Sequence, residues 1–510
     1  MKKEMPFSQP AAPSPASGPS LSHRTSRGFA WMLAQTLGSK LAGIIGQIFL
    51  ARLLMPADFG LVALAYAAAG PASMLRQTGV PQILIQKGDR FRHWANAAFW
   101  MDFAMGVAAM VMLLVAAPIA TKIFRAPGVV GLLMVMATAA MFNAVMTVPQ
   151  AKMTRDLRFR ELASIGLGYN ILATVISVAF AFLGFGAYSF VIPLPICLSL
   201  RALVLWKLSP VKVRWNMQFH RWRAMAADSG RLLATGIFST LQGMSLFVVL
   251  GIFLTKAAVG QFSFAGNLSA QIMQLLSVNL SSVLFPVLST LKAEPLRQTA
   301  AFFRSARMLA LVGIPMCIAE AVLAKPAILV VFGIKWLPAV PILQLLALAA
   351  AVGIVNSPTI NLMQAQGRFG LTLKWAATSA VLSAGLMVLA AWFQSPMLVA
   401  MAVLFCTLVT VPPQILSATL KRGGNAGKVL GVYMPPLVFS GLALTPVGLL
   451  ELLVPWFGNH HVITLAIGVV TAPLIYVPLV WKFCPDDVDE LLTHAGPFEQ
   501  RLQRLRGRRG

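Results

Sequence analysis

The chain has 510 residues, 58% of them hydrophobic and 11% charged, with a formal net charge of +26 and a mean hydropathy of +0.77. Soluble domains are about 45–50% apolar and about 25% charged, so this composition excludes an ordinary soluble enzyme and equally a disordered or fibrous chain. Its apolar runs are about 20 residues long and do not alternate, which excludes a membrane β-barrel and leaves an all-α polytopic membrane protein.

Residues 1–28 are rich in Pro, Ser and Ala and read as a disordered tail ending on Arg24 and Arg27. Apolar runs follow at 29–51, 60–79, 97–117, 128–149, 162–183, 187–206, 231–254, 267–289, 306–328, 338–363, 371–393, 396–416, 428–453 and 462–481. Each can cross roughly 30 Å of hydrocarbon at about 1.5 Å per residue, so about fourteen transmembrane helices are expected. The charges support this reading. With the N-terminus in the cytosol, the cytosolic segments hold 33 of the 41 Lys and Arg, the opposite loops hold six, and Lys40 and Arg201 lie within spans. Such asymmetry is what topology demands of cytosolic loops, and it places both termini in the cytosol. Much of the positive charge therefore needs no nucleic-acid partner.

The first and seventh spans align at a constant offset of 200. Between Leu33 and Ala65, ten of 33 positions match their partners, including Leu33/Leu233, Gly43/Gly243, Leu54/Leu254 and Gly60/Gly260; chance would give roughly three or four in so biased a composition. An offset of six spans keeps the orientation, so the repeats are parallel and related by an axis along the membrane normal. The expected organisation is an N-lobe at 29–206, a basic cytosolic linker at 207–230, a C-lobe at 231–416, two added helices at 428–481 and a basic cytosolic tail at 482–510. Two six-helix lobes around a central cleft are the plan of a transporter.

Lys40 sits about eleven residues into the first span, where a cation costs about 3 kcal/mol. Thr36, Lys40, Gly43 and Gln47 share one helical face, which is expected to line a water-filled cavity; a buried Lys paired only for packing is the alternative. In the eighth span Asn267, Gln271, Gln274 and Ser281 lie on one side, either lining the cavity or holding helices together. Asp102, Glu320 and Glu451 are the intramembrane acids. Glu320 is a candidate ion or proton site and could equally pair with Lys325. Arg52, Arg76, Arg201, Arg231 and Lys256 stand at span ends as interface anchors. Cations outnumber acids near the cleft, which favours an anionic head group, phosphate above all. No Walker A motif, dinucleotide fingerprint or metal-ligand spacing occurs, and the four cysteines outline no disulfide framework. No cofactor, metal or catalytic residue is expected.

The segment Ala51-Arg52-Leu53-Leu54-Met55-Pro56-Ala57-Asp58-Phe59-Gly60 resembles the stretch after the first helix of Wzx-type polysaccharide exporters, A-R-x-L-x-P-x-x-[FY]-G. Arg155 with Leu157-Arg158-Phe159 looks like that family's R-x-L-x-F segment, and Phe332-Gly333-Ile334-Lys335-Trp336-Leu337-Pro338-Ala339 looks like its F-G-x-x-W-x-x-A turn. The resemblance runs from about 29 to 480. It implies membership of the multidrug/oligosaccharidyl-lipid/polysaccharide exporter superfamily, two lobes of helices, and no ATPase. The implied activity is flipping of an undecaprenyl-diphosphate-linked oligosaccharide across the bacterial inner membrane, for exopolysaccharide or O-antigen-type synthesis. Lipid II flippases of that superfamily carry S-R-x-x-G-x-x-R-D in the first helix. Here Ser39-Lys40 and Gly43 are kept but the Arg-Asp pair is replaced by Gly46-Gln47, which argues for a glycan other than a peptidoglycan precursor.

On this reading the diphosphate is held by Lys40, Arg52, Arg76 and Arg231, the sugars meet Gln47, Gln271 and Gln274, and Glu320 and Asp102 are candidates for ion coupling. Membrane lipid and the lipid-linked oligosaccharide are the expected partners, with a polysaccharide polymerase or export complex as a further one. A multidrug/cation antiporter of the same superfamily is the alternative carrier, and a non-transporting scaffold for glycan assembly the alternative from another class.

Overall fold

A computed structural model describes residues 21–75, 80, 81, 84, 91–211, 213–219, 221, 222, 243–453 and 460–485. The N-terminal tail up to residue 20, most of the C-terminal tail, Arg76 and Arg231 lie outside these. The described chain is helical, with no strand among the described residues. The N-lobe comprises α1 (Leu21–Leu53), α2 (Pro56–Leu75), α3 (Phe91–Phe124), α4 (Gly128–Arg155), α5 (Phe159–Phe182) and α6 (Tyr188–Leu208). The C-lobe follows with α7 (Gly243–Phe253), α8 (Lys256–Thr290), α9 (Pro295–Val322), α10 (Ile334–Ala365), α11 (Phe369–Trp392) and α12 (Pro396–Arg422). Then come α13 (Ala426–Leu453) and α14 (His461–Phe483).

Among the described residues, 11 helices are long and apolar enough to cross a membrane. The other three expected spans fall on α1, α7 and α8. In α1 the polar residues Gln35, Thr36, Ser39, Lys40 and Gln47 dilute the apolar run, α7 is described only from Gly243, and several α8 side chains lie outside the described set. The helices turned to the surface carry large apolar residues outward, such as Val381, Trp392, Phe182 and Leu474. Such a surface would aggregate in water and is stable against lipid tails. The chain is a multi-pass membrane protein. The two C-terminal helices extend the C-lobe: Tyr433 of α13 donates to Val352 O at 3.0 Å and Tyr476 of α14 to Leu311 O at 2.7 Å.

The lobes meet reciprocally. A Cβ built on Gly60 would lie 1.8 Å from Lys256 O, and one on Gly260 would lie 1.7 Å from Pro56 O. The four positions are related by the offset of 200, so α2 and α8 cross on a pseudo-two-fold axis, as in a self-complementary dimer interface. Only glycine permits this backbone approach. One buried cluster runs across the joint, taking in Leu50, Leu54 and Phe59 from the N-lobe and Phe264, Phe332 and Trp336 from the C-lobe.

The first and third resemblance motifs are the two halves of this joint. Gly333 has φ 96° and ψ 171°, a backbone region essentially reserved for glycine. It turns the chain so that the fully buried Trp336 donates Nε1–H to Ala51 O at 2.8 Å. Lys335 Nζ donates to Arg52 O and Leu54 O, both at 2.7 Å, occupying carbonyls that a helix C-terminus leaves unpaired. Arg52 returns the contact, its Nε to Val331 O at 2.7 Å and its Nη2 to Val330 O at 2.5 Å. Trp336 stacks on Phe264 at 4.0 Å and meets Phe59 edge-on at 4.9 Å. This end of the molecule is closed between the lobes. Arg52→Ala is expected to loosen it. In a background without the four native cysteines, Leu50→Cys should then react faster with a membrane-impermeant thiol reagent than it does with Arg52 in place.

Candidate functional site

Behind that joint a cavity of about 690 Å³ lies between the lobes. It runs along α1 from Ser39 to Leu50, about 16 Å at 1.5 Å per residue. The expected α1 face is there: Lys40, Gly43 and Gln47 line the cavity, as do Asn267, Gln271 and Gln274 from α8. Lys40 Nζ donates to Gln274 Oε1 at 2.7 Å, and Gln271 Nε2 donates to Gln47 Oε1 at 2.9 Å. These two bonds join N-lobe to C-lobe across the seam between α1 and α8. Among the described residues no carboxylate lines the cavity, and Lys40 is its single charged side chain. A neutral amide leaves the ammonium charge uncompensated and two of its three donors available. An incoming anion would replace the amide with a stronger, charge-assisted contact.

The other expected residues are placed differently. Arg52 does not line the cavity, because its guanidinium is committed to the Val330 and Val331 carbonyls at the closed end. Glu320 lies on α9 away from the cavity, with Oε2 buried and without a hydrogen-bond partner. Asp102 is buried inside the N-lobe, where it accepts from the Thr147 hydroxyl. It lines a separate cavity of about 270 Å³ with Asn143, Gln150 and Arg201. There Arg201 reaches Gln150 Oε1 at 3.5 Å and lies 5.4 Å over the Tyr169 ring. Thr36 turns back to Met32 O and is not among the lining residues.

Sequence reasoning missed the α5 wall. Tyr169, Asn170, Thr174 and Ser177 line the cavity opposite α8, and Asn170 donates to Ser39 Oγ at 3.1 Å. The signal was present in the sequence, since Asn170, Thr174 and Ser177 fall at i, i+4 and i+7 of an otherwise apolar run. Tyr66 of α2 is a further wall residue.

The model of a family described as polysaccharide biosynthesis protein matches residues 49–341, more than half of the chain and including both halves of the lobe joint. The chain belongs to the polysaccharide biosynthesis protein family. Its relatives cover between 70% and 95% of the chain. The succinoglycan biosynthesis transport protein ExoT of Rhizobium meliloti (strain 1021) is 25% identical over 489 residues, covering 95% of this chain and 96% of that one. The lipopolysaccharide biosynthesis protein WzxC of Escherichia coli (strain K12) is 22% identical over 367 residues, 70% of this chain and 73% of that one. The fold is shared with the lipid II flippase MurJ in an inward closed conformation, at a TM-score of 0.69 and 13% identity over 90% of this chain and 99% of that one. It is also shared with an inward-facing multidrug resistance MATE family transporter of the MOP superfamily, at a TM-score of 0.56 and 15% identity over 77% and 96%. Within this polysaccharide biosynthesis family member, the first and third family-like motifs build the joint, while Lys40 and the amides line the space behind it.

Proposed function

We propose that this chain is a transporter that flips a polyprenyl-diphosphate-linked oligosaccharide repeat unit across the bacterial inner membrane, for synthesis and export of a surface polysaccharide. The observation that carries this is the amide-bound Lys40, the single charged side chain among the described lining residues of an interlobe cavity in which none of those residues is a carboxylate. It is a site for an anion, and a lipid diphosphate is the anion that membrane-bound sugar assembly offers. The relatives named for succinoglycan biosynthesis transport and for lipopolysaccharide biosynthesis support the same reading. With both termini cytosolic, the sealed joint lies on the periplasmic side, and the cavity is loaded from the cytosolic leaflet as α1 and α8 part. The diphosphate then displaces Gln274 from Lys40. The sugars fill the amide- and hydroxyl-lined space toward Asn170 and Gln271, and the prenyl chain stays in lipid. Exchange of the seal from one end to the other delivers the head group outward by rocking of the lobes. Arg76 and Arg231 are further candidate phosphate contacts, Asp102 and Glu320 remain candidates for coupling an ion, and a polymerase or export complex is a partner to test. The chain carries no catalytic step in this scheme. A multidrug/cation antiporter would need carboxylates facing its cargo, and the described lining has none.

The test is to count lipid-linked oligosaccharides by membrane leaflet in cells lacking the protein. Complete repeat units held on the cytosolic leaflet, together with loss of surface polymer, are expected. Unchanged lipid-linked sugars would overturn the assignment.

A further inference from the structure

A further charged cavity lies outside the cleft, apart from the one that Asp102 and Arg201 line. At the end of the N-lobe where α3 begins and α4 and α6 finish, Arg92, Lys152, Arg155, Arg214 and Arg221 line a pocket of about 610 Å³. No carboxylate is among its described lining residues. The segment carrying Arg214 is pinned there by the fold. Asn96 Nδ2 donates to Asn216 O at 2.5 Å, Asn96 Oδ1 accepts from Arg214 N at 2.8 Å, and Trp100 Nε1 donates to Arg214 O at 2.9 Å. Lys152 donates to Pro210 O at 3.0 Å and Arg221 to His93 O. Arg155 pairs with Asp156 at 2.8 Å and lies 4.8 Å over Phe91. Among the described residues, the guanidinium groups of Arg92 and Arg214 take part in no hydrogen bond, ion pair or ring contact, so their donors are uncommitted.

Loop cations that serve only topology satisfy that role anywhere along the loop. Their convergence on one cavity, held by bonds that oppose their mutual repulsion, calls for an anion. The flank of the pocket states where that anion comes from. Trp215 is 86% exposed and Phe219 63% exposed, beside the helix ends. Aromatic rings at that level mark the boundary between water and lipid, and basic pockets there take lipid head groups. Arg155 is matched by Asp156, which leaves Arg92, Lys152, Arg214 and Arg221 with no carboxylate among the described lining residues, and four such cations match a head group bearing two phosphates better than one bearing a single phosphate.

We infer that this pocket is a second phosphate site, distinct from Lys40, which holds the paired phosphates of a membrane lipid at the cytosolic rim of the N-lobe. Two lipids carry that chemistry, a prenyl diphosphate and a cardiolipin-type bis-phosphate. The inference does not depend on the cargo assigned to the cleft.

Native mass spectrometry of the purified full-length Lys40→Ala protein, in which the cleft contact is removed, separates the possibilities. It would be titrated with undecaprenyl diphosphate, cardiolipin and, as the zwitterionic control, phosphatidylethanolamine. One equivalent of a bis-phosphate lipid should be retained over the control. The added changes Arg92→Gln and Arg214→Gln should weaken it about 30-fold, from two surface charges lost, while Arg214→Lys alone keeps most of it. Neither glutamine change removes a bond within the protein, so the melting temperature without lipid should stay the same. Preference for undecaprenyl diphosphate would make the pocket a waiting site for the prenyl head group, and preference for cardiolipin a bulk-lipid anchor. Either supports the site. Retention no better than for phosphatidylethanolamine, or unchanged in the Arg92→Gln/Arg214→Gln protein, would overturn it.

Discussion

Lys40→Ala is expected to abolish polymer export while leaving the protein folded and in the membrane. Truncating one partner of a desolvated charge pair costs about 2–5 kcal/mol, or roughly 30-fold to several thousand-fold in affinity. No second cation lines the described cavity to compensate. In the unloaded protein the loss is small, since Lys40 gives up one bond to a neutral amide on the exposed Gln274. Lys40→Arg keeps the charge in a different donor geometry and should retain part of the activity. Lys40→Gln preserves a donor for Gln274 without the charge and should fail like alanine. Surface polymer and leaflet-resolved lipid-linked oligosaccharide are the readouts. Normal export by a stably expressed Lys40→Ala protein would remove the diphosphate site from the cleft.

Gly60→Val and Gly260→Val are expected to be equally severe, although they lie 200 residues apart. Each new Cβ would fall under 2 Å from a main-chain carbonyl oxygen of the other lobe, which cannot swing aside as a side chain can. The lobes would have to separate at the joint that Trp336, Lys335 and Arg52 also hold. Core overpacking commonly costs about 1–3 kcal/mol, and a clash with backbone belongs at or above the upper end. Gly385→Ala on α11 is the control, because nothing lies within 4 Å of its Cβ position. Thermal melting in detergent should fall for both joint variants and hold for the control, with export lost in the first two. If the joint variants melt and export like the parent, the crossing of α2 and α8 is not a fixed contact.

The helical organisation was legible because lipid imposes long apolar runs with polar breaks. The polar faces of α1 and α8 were legible for a related reason: Lys40 and Gln47, like Gln271 and Gln274, are too costly to leave in hydrocarbon and repeat at helical spacing. Spacing tells which residues share a face and is silent about what stands opposite. Lys40 within the first span and Arg52 at its end both read as contacts for the diphosphate. The difference between them is set by Val330 and Val331, nearly 280 residues further on, whose carbonyls claim the arginine. The α5 wall was legible in principle, but Thr174 and Ser177 are small hydroxyls that also occur as helix glue. The Gly60/Gly260 identity appeared as one match among ten, and only the crossing of α2 and α8 reveals that each glycine makes room for the backbone beside the other.

The amide partner of Lys40 has an electrical consequence. A sugar-bearing prenyl diphosphate carries about two negative charges, so a cleft holding it against one lysine is net negative, whereas the empty cleft is net positive. Bacterial membranes are negative inside. On the proposed function, outward passage of the loaded cleft and inward return of the empty one would both move charge in the direction the field favours. Each unit charge is worth about 2.3 kcal/mol per 100 mV across the full field. A carboxylate in place of Gln274 would neutralise the empty cleft and remove the drive from its return step. On the proposed function, the neutral glutamine would let the resting potential act on both halves of the cycle.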